Sequence, residues 1–387
     1  MPVRATGALI TLSVATFCYV TTELLPVGLL TLIAADLGLS HSRVGLLVTA
    51  YAGVVVLASI PLTRLTQRVP RRWLLAVTLG LFSGATLVSA LASDFSQLLA
   101  GRLLAGLTQA LFWSVVTPAA TSLFPPLVRG RVIARMAIGT SLAPVLGVPA
   151  ATWLGQQAGW RAPFVVMAVA GLAAGAAVLA LMPTIRPSQA ATALGSAPDM
   201  GRFVNLTLVV ILGVTGFFTA YTYITPFLLD VGGFPEAALS VLLLVAGAAG
   251  LCGTLFVGTV LDRYPRGTLL VPLGLISLWL AGLYLSGPAK AASVGLLVLL
   301  CFTFSALPPA FASRTLQVAP GSTDLASAAT GSAFNAGIAA GSSLGGLLVA
   351  GPGPRGVALA GALLVAAALA VMLAESRMAS RAGADAA

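Results

Sequence analysis

Twelve apolar stretches follow one another along this chain, each long enough to cross a lipid bilayer and each separated from the next by a polar or basic turn. They fall at about 7–33, 44–63, 73–92, 96–119, 131–154, 162–182, 203–229, 238–261, 268–286, 291–313, 323–350 and 356–374. A membrane-spanning helix takes about 20 apolar residues, whereas a spanning β-strand takes about ten of alternating character. Continuous runs of this length predict helices, which satisfy every backbone N–H and C=O within the segment. Composition agrees: 58% of the 387 residues are hydrophobic and 8% charged, where a soluble domain is about a quarter charged. The expected fold class is an all-α polytopic membrane protein. The first run lacks a small-residue cleavage site and holds a carboxylate, so it reads as a retained span, not a signal segment.

The longest polar break, RPSQAATALGSAPDMGR at 186–202, parts six spans from six. It predicts an N-terminal six-helix bundle at 1–185, a linker at 186–202, and a C-terminal six-helix bundle at 203–387. The net charge of +10 invites a nucleic-acid reading, but the arginines lie on one side. With the N-terminus inside, the cytoplasmic segments hold Arg4, Arg64, Arg68, Arg71, Arg72, Arg129, Arg131, Arg135, Arg186, Arg202, Arg263, Arg266, Arg314, Arg377 and Arg381. The external loops hold Arg43, Arg161, Lys290 and Arg355. This asymmetry is the positive-inside pattern, and it predicts both termini in the cytoplasm. The basic charge is thereby assigned to membrane orientation, and no nucleic-acid partner is expected.

The motifs of catalysis are missing from the chain. Cys18, Cys252 and Cys301 each fall in a span without metal spacing, and read as small packing residues; His41 is a lone loop histidine. There is no phosphate-binding G-x-x-x-x-G-K-[ST] loop and no nucleophile–base arrangement. The sequence therefore points away from enzymatic chemistry and ATP-driven transport, and calls for no cofactor or metal.

The two halves are related. LTQRVPRR (65–72) after the second span matches VLDRYPRG (260–267) after the eighth, with Arg, Pro and Arg at equal spacing. Tyr19 to Pro26 in the first span matches Tyr221 to Pro226 in the seventh, each placing Thr and Tyr just before a Pro. Internal repeats of this kind build transporters that bind their cargo near the midplane.

With twelve spans and a basic 2–3 turn, the chain resembles the major facilitator superfamily, whose turn reads G-x-L-x-D-R-x-G-R-R. The first copy keeps Leu65, Arg68, Arg71 and Arg72 but has Gln67 for the Asp; the second keeps Gly258, Asp262, Arg263 and Arg266. Arg102 and Gly106 match the family's R-x-x-x-G stretch, and GTSLAPVLG (139–147) is similar to its antiporter motif. TTELLPVGLL, FWS, LGVPAATWLGQQAGWR, TAYTYITPF and FNAGIAAG resemble the bacterial sugar efflux transporters, in the drug:proton antiporter branch. Some of those relatives carry a Glu where this chain has Thr225. The resemblance implies two pseudo-symmetric bundles and a monomer of the bacterial inner membrane. It also implies proton-coupled efflux of small neutral or amphiphilic solutes by alternating access. A proton-independent facilitator or importer, and a receptor or assembly protein that moves nothing, stay open as alternatives.

Glu23 is the one acidic residue deep inside a predicted span. Burial disfavours its charged form, which suits it either to carry a proton or to stay neutral in an interhelical hydrogen bond. Pro26, one turn later, is expected to free a carbonyl beside it. Arg102 is the basic residue within a span; it must face a cavity or a partner, as a proton–substrate link or as a structural hydrogen-bond centre. The expected cavity is lined by spans 1, 4, 7 and 10, with Tyr19, Gln109, Trp113, Tyr221, Tyr223, Thr225 and Asn335 as substrate-binding candidates. Gly139, Pro144 and Gly147 read as a seal between the halves or a flexing point, or as plain packing; Gly337, Gly341 and Gly345 are a candidate mate. Arg68, Arg71 and Arg72, with Gly258, Asp262, Arg263 and Arg266, read as a cytoplasmic latch or as membrane anchors.

Overall fold

A computed structural model describes residues 3–66, 69–124, 129–184, 197–261, 263–286, 289–320, 323–351 and 353–384. Among them are twelve helices long and apolar enough to cross a membrane, matching the twelve runs read from the sequence. They are α1 (Val3–Gly28), α2 (His41–Thr66), α3 (Arg71–Ala90), α4 (Phe95–Ser122), α5 (Ile138–Ala158), α6 (Arg161–Leu181), α7 (Met200–Tyr221), α8 (Leu239–Val260), α9 (Gly267–Ser286), α10 (Lys290–Val318), α11 (Thr323–Ala350) and α12 (Pro354–Ala384). The chain divides into two compact units, Met1–Ala190 with Ala237–Leu244, and Ala191–Glu236 with Val245–Ala387. Most of the linker expected at 186–202 lies outside the described residues, as do Arg68 and Asp262.

Proline sets most of the irregularities. The sequence reads one continuous helix at 131–154; the chain instead forms Arg129–Leu142, a π-helical segment Ala143–Gly147, and Val148–Ala158. Pro144 and Pro149 both lack an amide hydrogen, so the regular ladder fails between them and re-forms with wider turns. The run expected at 203–229 likewise breaks, into α7, a single turn at Ile224–Pro226 and a π segment at Phe227–Val231. After α1, a short helix Leu30–Leu37 carries the chain on and ends at Gly38, whose φ of 62° is the left-handed conformation that glycine adopts without Cβ strain.

Small residues decide which helices touch. In the N-terminal unit, a Cβ on Gly139 would overlap the Ser13 carbonyl of α1, and one on Gly147 would overlap Thr21 Oγ1. In the C-terminal unit, Gly337, Gly341 and Gly345 lie against Val214, the Thr215 carbonyl and the Thr219 carbonyl of α7. Spaced by four, these glycines share one helix face and let two backbones approach closely. Both stripes are therefore occupied inside their own units. Of the readings open at Gly139 and Gly147, these contacts are helix packing within the unit, and Gly337, Gly341 and Gly345 likewise pack on the α7 of their own unit.

Aromatic and aliphatic side chains fill the N-terminal core: Tyr19 stacks on Phe112 at 4.2 Å and meets Phe82 at 4.3 Å, over Leu12, Leu75 and Val116. Outward, Leu57, Leu81, Leu172, Phe256 and Leu363 are exposed. Apolar side chains this numerous on the outside suit hydrocarbon, not water.

Candidate functional site

The site is built where α1, α2 and α4 meet. Pro26 cannot donate a hydrogen bond to Thr22, four residues earlier, so the Thr22 carbonyl is left without its helical partner. Arg102 of α4 supplies one: Nη1 donates to Thr22 O at 2.6 Å, and Nη2 donates to Glu23 O at 3.1 Å. The Arg102 side chain is fully buried, and its guanidinium lies 4.2 Å from the centre of the Tyr51 ring. Two carbonyl dipoles and an aromatic face compensate a charge that would otherwise be costly to bury.

The Glu23 carboxylate makes a different contact. Gln109 Nε2 donates to Glu23 Oε2 at 2.8 Å, and the Tyr51 hydroxyl donates to Gln109 Oε1 at 2.6 Å. Among the described residues the ion pairs are Arg161–Asp36 and Arg202–Asp199. Arg102 thus holds the backbone of Glu23 and does not pair with its carboxylate within 4.0 Å. Arg102, Gly106 and Gln109 sit at i, i+4 and i+7 on one face of α4. At the middle position a Cβ would lie 3.0 Å from the Tyr51 carbonyl. The missing side chain at Gly106 brings α2 close enough for Tyr51 to reach both neighbours.

In the C-terminal unit, the stretch of α7 that matches the Glu23 region carries rings. Phe217 stacks on Phe304 at 3.5 Å and on Tyr221 at 4.9 Å, and Phe334 meets Phe304 at 6.3 Å. Phe217 is buried, while Tyr221, Phe304 and Phe334 keep part of their surface open. Asn335 is half-buried, its amide nitrogen bonded to Gly331 O, with Oδ1 lacking a partner among the described residues. Trp113 is half-buried against Phe112.

Three substrate-binding candidates are fully buried. Tyr19 is fully buried, its hydroxyl aimed at Thr78 O at 3.4 Å. Tyr223 is fully buried beneath Gly345 and donates to Ser342 O at 2.9 Å. Thr225 is fully buried and has an interaction of its own. A fourth, Gln109, is 1% exposed with both ends of its amide engaged by the protein. Hydroxyls and amides near a proline read as cavity lining in sequence, but those of Tyr19, Tyr223 and Gln109 are turned into their own bundle.

The basic turns divide. Arg72 Nη2 donates to Leu179 O in the last turn of α6, the carbonyl-rich end where a cation is favoured. Arg71 is half-buried at the start of α3. Arg263 is exposed and lies over the Tyr264 ring at 5.4 Å; Arg266 is exposed, and nothing crowds a Cβ built on Gly258. At the opposite end of the N-terminal unit, Arg161 and the Trp160 indole both donate to Asp36 Oδ2, at 2.7 and 2.9 Å. Arg161 also donates to Ala92 O at 2.9 Å. This clamp ties the end of the first span to two loops.

Sequence reasoning missed Tyr51, Phe217, Phe304 and Phe334. The i, i+4, i+7 set Arg102-Gly106-Gln109 carried a signal for a close helix partner, though not its identity. Phe217 and Tyr221 stand one turn apart in α7, a spacing legible as a shared face.

Comparison with known proteins bears on the whole arrangement. The sequence model of the Major Facilitator Superfamily matches residues 12–323. The chain is 40% identical over 272 residues to the chloramphenicol efflux pump of Mycobacterium tuberculosis (strain CDC 1551 / Oshkosh); the match covers 69% of this chain and 66% of that protein. Its fold is similar to that of a bacterial homologue of the human lysosomal transporter Spinster, with TM-score 0.76 and 17% identity over 97% of this chain and 98% of that one. It is also similar to a mutant of the peptide transporter POT in complex with alafosfalin, with TM-score 0.77 and 15% identity over 96% and 94%. Identities this low speak to the fold alone. With twelve spanning helices and a family match over most of its length, the chain is a multi-pass membrane protein and belongs to the Major Facilitator Superfamily.

Proposed function

We propose that this protein is a proton-coupled efflux transporter of the bacterial inner membrane, exporting small amphiphilic or neutral solutes by alternating access. The observation that carries the reading is Glu23: a carboxylate inside an apolar span, hydrogen-bonded to a neutral amide and not ion-paired with the buried arginine beside it. Such a group gains or loses a proton without breaking a salt bridge, and burial penalises its charged form. Arg102 acts through the backbone, holding the C-terminal end of α1 in place while the carboxylate titrates. Antiport follows if cargo binding favours unprotonated Glu23, since the effect is reciprocal: protonation then weakens cargo binding by the same factor.

Two points favour an aromatic, drug-like cargo over a sugar. The relative matched at 40% identity is a chloramphenicol efflux pump. The C-terminal unit offers a cluster of partly exposed rings in Tyr221, Phe304 and Phe334, which suits a flat apolar group. Trp113, Tyr221 and Asn335 are assigned to cargo contact, and Arg72 to a cytoplasmic tie between α3 and α6. The arginine asymmetry supports both termini in the cytoplasm; tags on Met1 and Ala387 reporting outside would overturn that topology. No cofactor is required, and a monomer suffices.

The test uses purified protein in vesicles with an imposed pH gradient, with chloramphenicol and a galactoside as probes. Uphill efflux coupled to proton entry is expected, and Glu23→Gln is expected to abolish it while the protein still folds. Flux that ignores the gradient supports a facilitator instead. Absence of flux for every probe, in protein that binds chloramphenicol, supports a receptor.

A further inference from the structure

Tyr51 matches no motif in the sequence, yet it touches the buried Arg102 and the amide that is bonded to Glu23. Its hydroxyl donates to Gln109 Oε1 at 2.6 Å, its ring lies 4.2 Å from the Arg102 guanidinium, and it is 1% exposed. Gln109 in turn donates to Glu23 Oε2 at 2.8 Å. We propose that Tyr51 is a positioning residue that decides which proton state of Glu23 the site stabilises, by fixing which end of the Gln109 amide faces the carboxyl group. The proposal rests on the reading of Glu23 as the proton carrier and adds a residue that sets its titration.

The argument is one of donors and acceptors. An amide has a donor end and an acceptor end; an ionised carboxylate only accepts, whereas a protonated carboxyl must also donate. While the Tyr51 proton points at Oε1, the NH2 group of Gln109 faces Glu23, the arrangement an ionised Glu23 accepts. Once a proton from solution settles on Oε2, two donors face one another there. The mismatch is relieved by turning the amide over, so that Oε1 accepts from Glu23 and Nε2 donates to the Tyr51 oxygen. Tyr51 then gives up its own acceptor, in a place where an unmet hydroxyl proton costs stability. With the hydroxyl present the site therefore leans toward ionised Glu23. Arg102 keeps the lever in place, because its contact with the Tyr51 ring and its bonds to Thr22 O and Glu23 O hold α1, α2 and α4 in one geometry.

Other charged groups on the helices around α1 are engaged or sit far along them. Asp36 and Arg161 pair with each other. Arg135 lies level with Ser13, whose hydroxyl bonds its carbonyl, and Arg129 and Arg131 precede it. His41, Arg43 and Arg64 are near the ends of α2, and the stretch Ala143–Ala158 carries no charge. Arg102 and Tyr51 are the titratable neighbours that face Glu23 from α4 and α2.

The experiment is an infrared titration of the purified full-length protein, which needs no cargo. The carbonyl stretch of protonated Glu23 is the band that Glu23→Gln removes, and its intensity against pH gives a midpoint. Tyr51→Phe keeps the ring under Arg102 and deletes only the hydroxyl. It is expected to move the midpoint to higher pH by about 0.5–1 unit, the effect of one lost hydrogen bond. Gln109→Met is expected to move it the same way, and Tyr51→Phe added to Gln109→Met is expected to move it no further. A full extra shift in the double variant, or an unmoved midpoint in Tyr51→Phe with the Glu23 band intact, overturns the proposal and leaves Glu23 as the carrier. Should no band disappear in Glu23→Gln at any pH, the carrier reading itself falls, and this proposal with it. A merely structural Tyr51 would lower the melting temperature and leave the midpoint where it was.

Discussion

In the N-terminal unit, the second half of α1 carries a carboxylate hydrogen-bonded to an amide, which is bonded to a phenol whose ring lies against a guanidinium; in the C-terminal unit, the matching part of α7 carries Phe217 and Tyr221, with Phe304 stacked on Phe217 and Phe334 tilted against Phe304. The surrounding architecture is the same in both. A stripe of small residues spaced by four packs the fifth helix of each unit on its first, Gly139 and Gly147 in one, Gly337, Gly341 and Gly345 in the other. A proline follows a Thr-and-Tyr segment in each; α1 runs through Pro26 to Gly28, whereas the helix around Pro226 breaks into a single turn and a π segment. Backbone approach is thus a shared property of the two units, and side-chain chemistry is not. Under the proposed function this is a division of labour, with the titrating carboxylate in one unit and the partly exposed rings in the other.

That contrast is broken most severely at Arg102. Arg102→Ala removes the partner of the Thr22 carbonyl and leaves a buried network without its cation. A loss of about 3–5 kcal/mol is expected from the two charge-assisted hydrogen bonds removed, read as thermal unfolding in detergent, together with loss of transport. An unchanged melting profile would mean that the C-terminal end of α1 holds itself. The shared part of the comparison is tested next. Gly147→Val and Gly345→Val each push a branched side chain into the first helix of their unit and should destabilise by about 1–3 kcal/mol. A large effect in one unit and none in the other would show that the stripes are not equivalent.

The ring-lined region separates on smaller effects. Tyr223→Phe deletes a buried hydroxyl that bonds Ser342 O, and should cost about 1 kcal/mol of stability while leaving chloramphenicol affinity alone. Tyr221→Ala should do the reverse, weakening chloramphenicol binding with a smaller change in melting temperature. If Tyr223→Phe changes affinity and Tyr221→Ala does not, the assignment of cargo contact is inverted.

The smallest effect is expected at the Asp36 clamp. The Trp160 indole, and then Arg161, hold the Asp36 carboxyl below the usual carboxylate range. Its folded-state proton affinity being lowered, the stabilisation is present above the ordinary aspartate value, about pH 4, and disappears as pH falls through the folded value. The pair is open to solvent, so the contribution is about 0.2–1 kcal/mol. Asp36→Asn should narrow the fall in melting temperature between neutral pH and about pH 3; an identical fall in both proteins would remove Asp36 from the account.

Several of these features are legible in the linear order of residues. Glu23 stands out because a carboxylate in an apolar run has few reasons to be there, and Pro26 announces a freed carbonyl four residues earlier. Arg102 has to find a partner, although not even the i, i+4, i+7 face of α4 says that the partner is the backbone of α1. The candidates that are buried share one feature. Tyr19, Tyr223, Thr225 and Gln109 carry polar groups in spans, and a polar group in a span is satisfied equally well by a neighbouring helix inside its own unit or by a ligand.

The amino-acid sequence by itself determined twelve spanning helices and about where each begins and ends, because span length and hydropathy act locally along one helix. It also determined that Glu23 and Arg102 must be compensated, because an unpaired polar group in hydrocarbon is too costly to leave. Only the tertiary structure decided by what. Whether Arg102 takes the carboxylate or the carbonyl beside it, and whether Tyr51 stands within 2.6 Å of Gln109, depends on how closely α2 and α4 approach at Gly106. That distance is set by packing between segments some fifty residues apart, which no local pattern encodes.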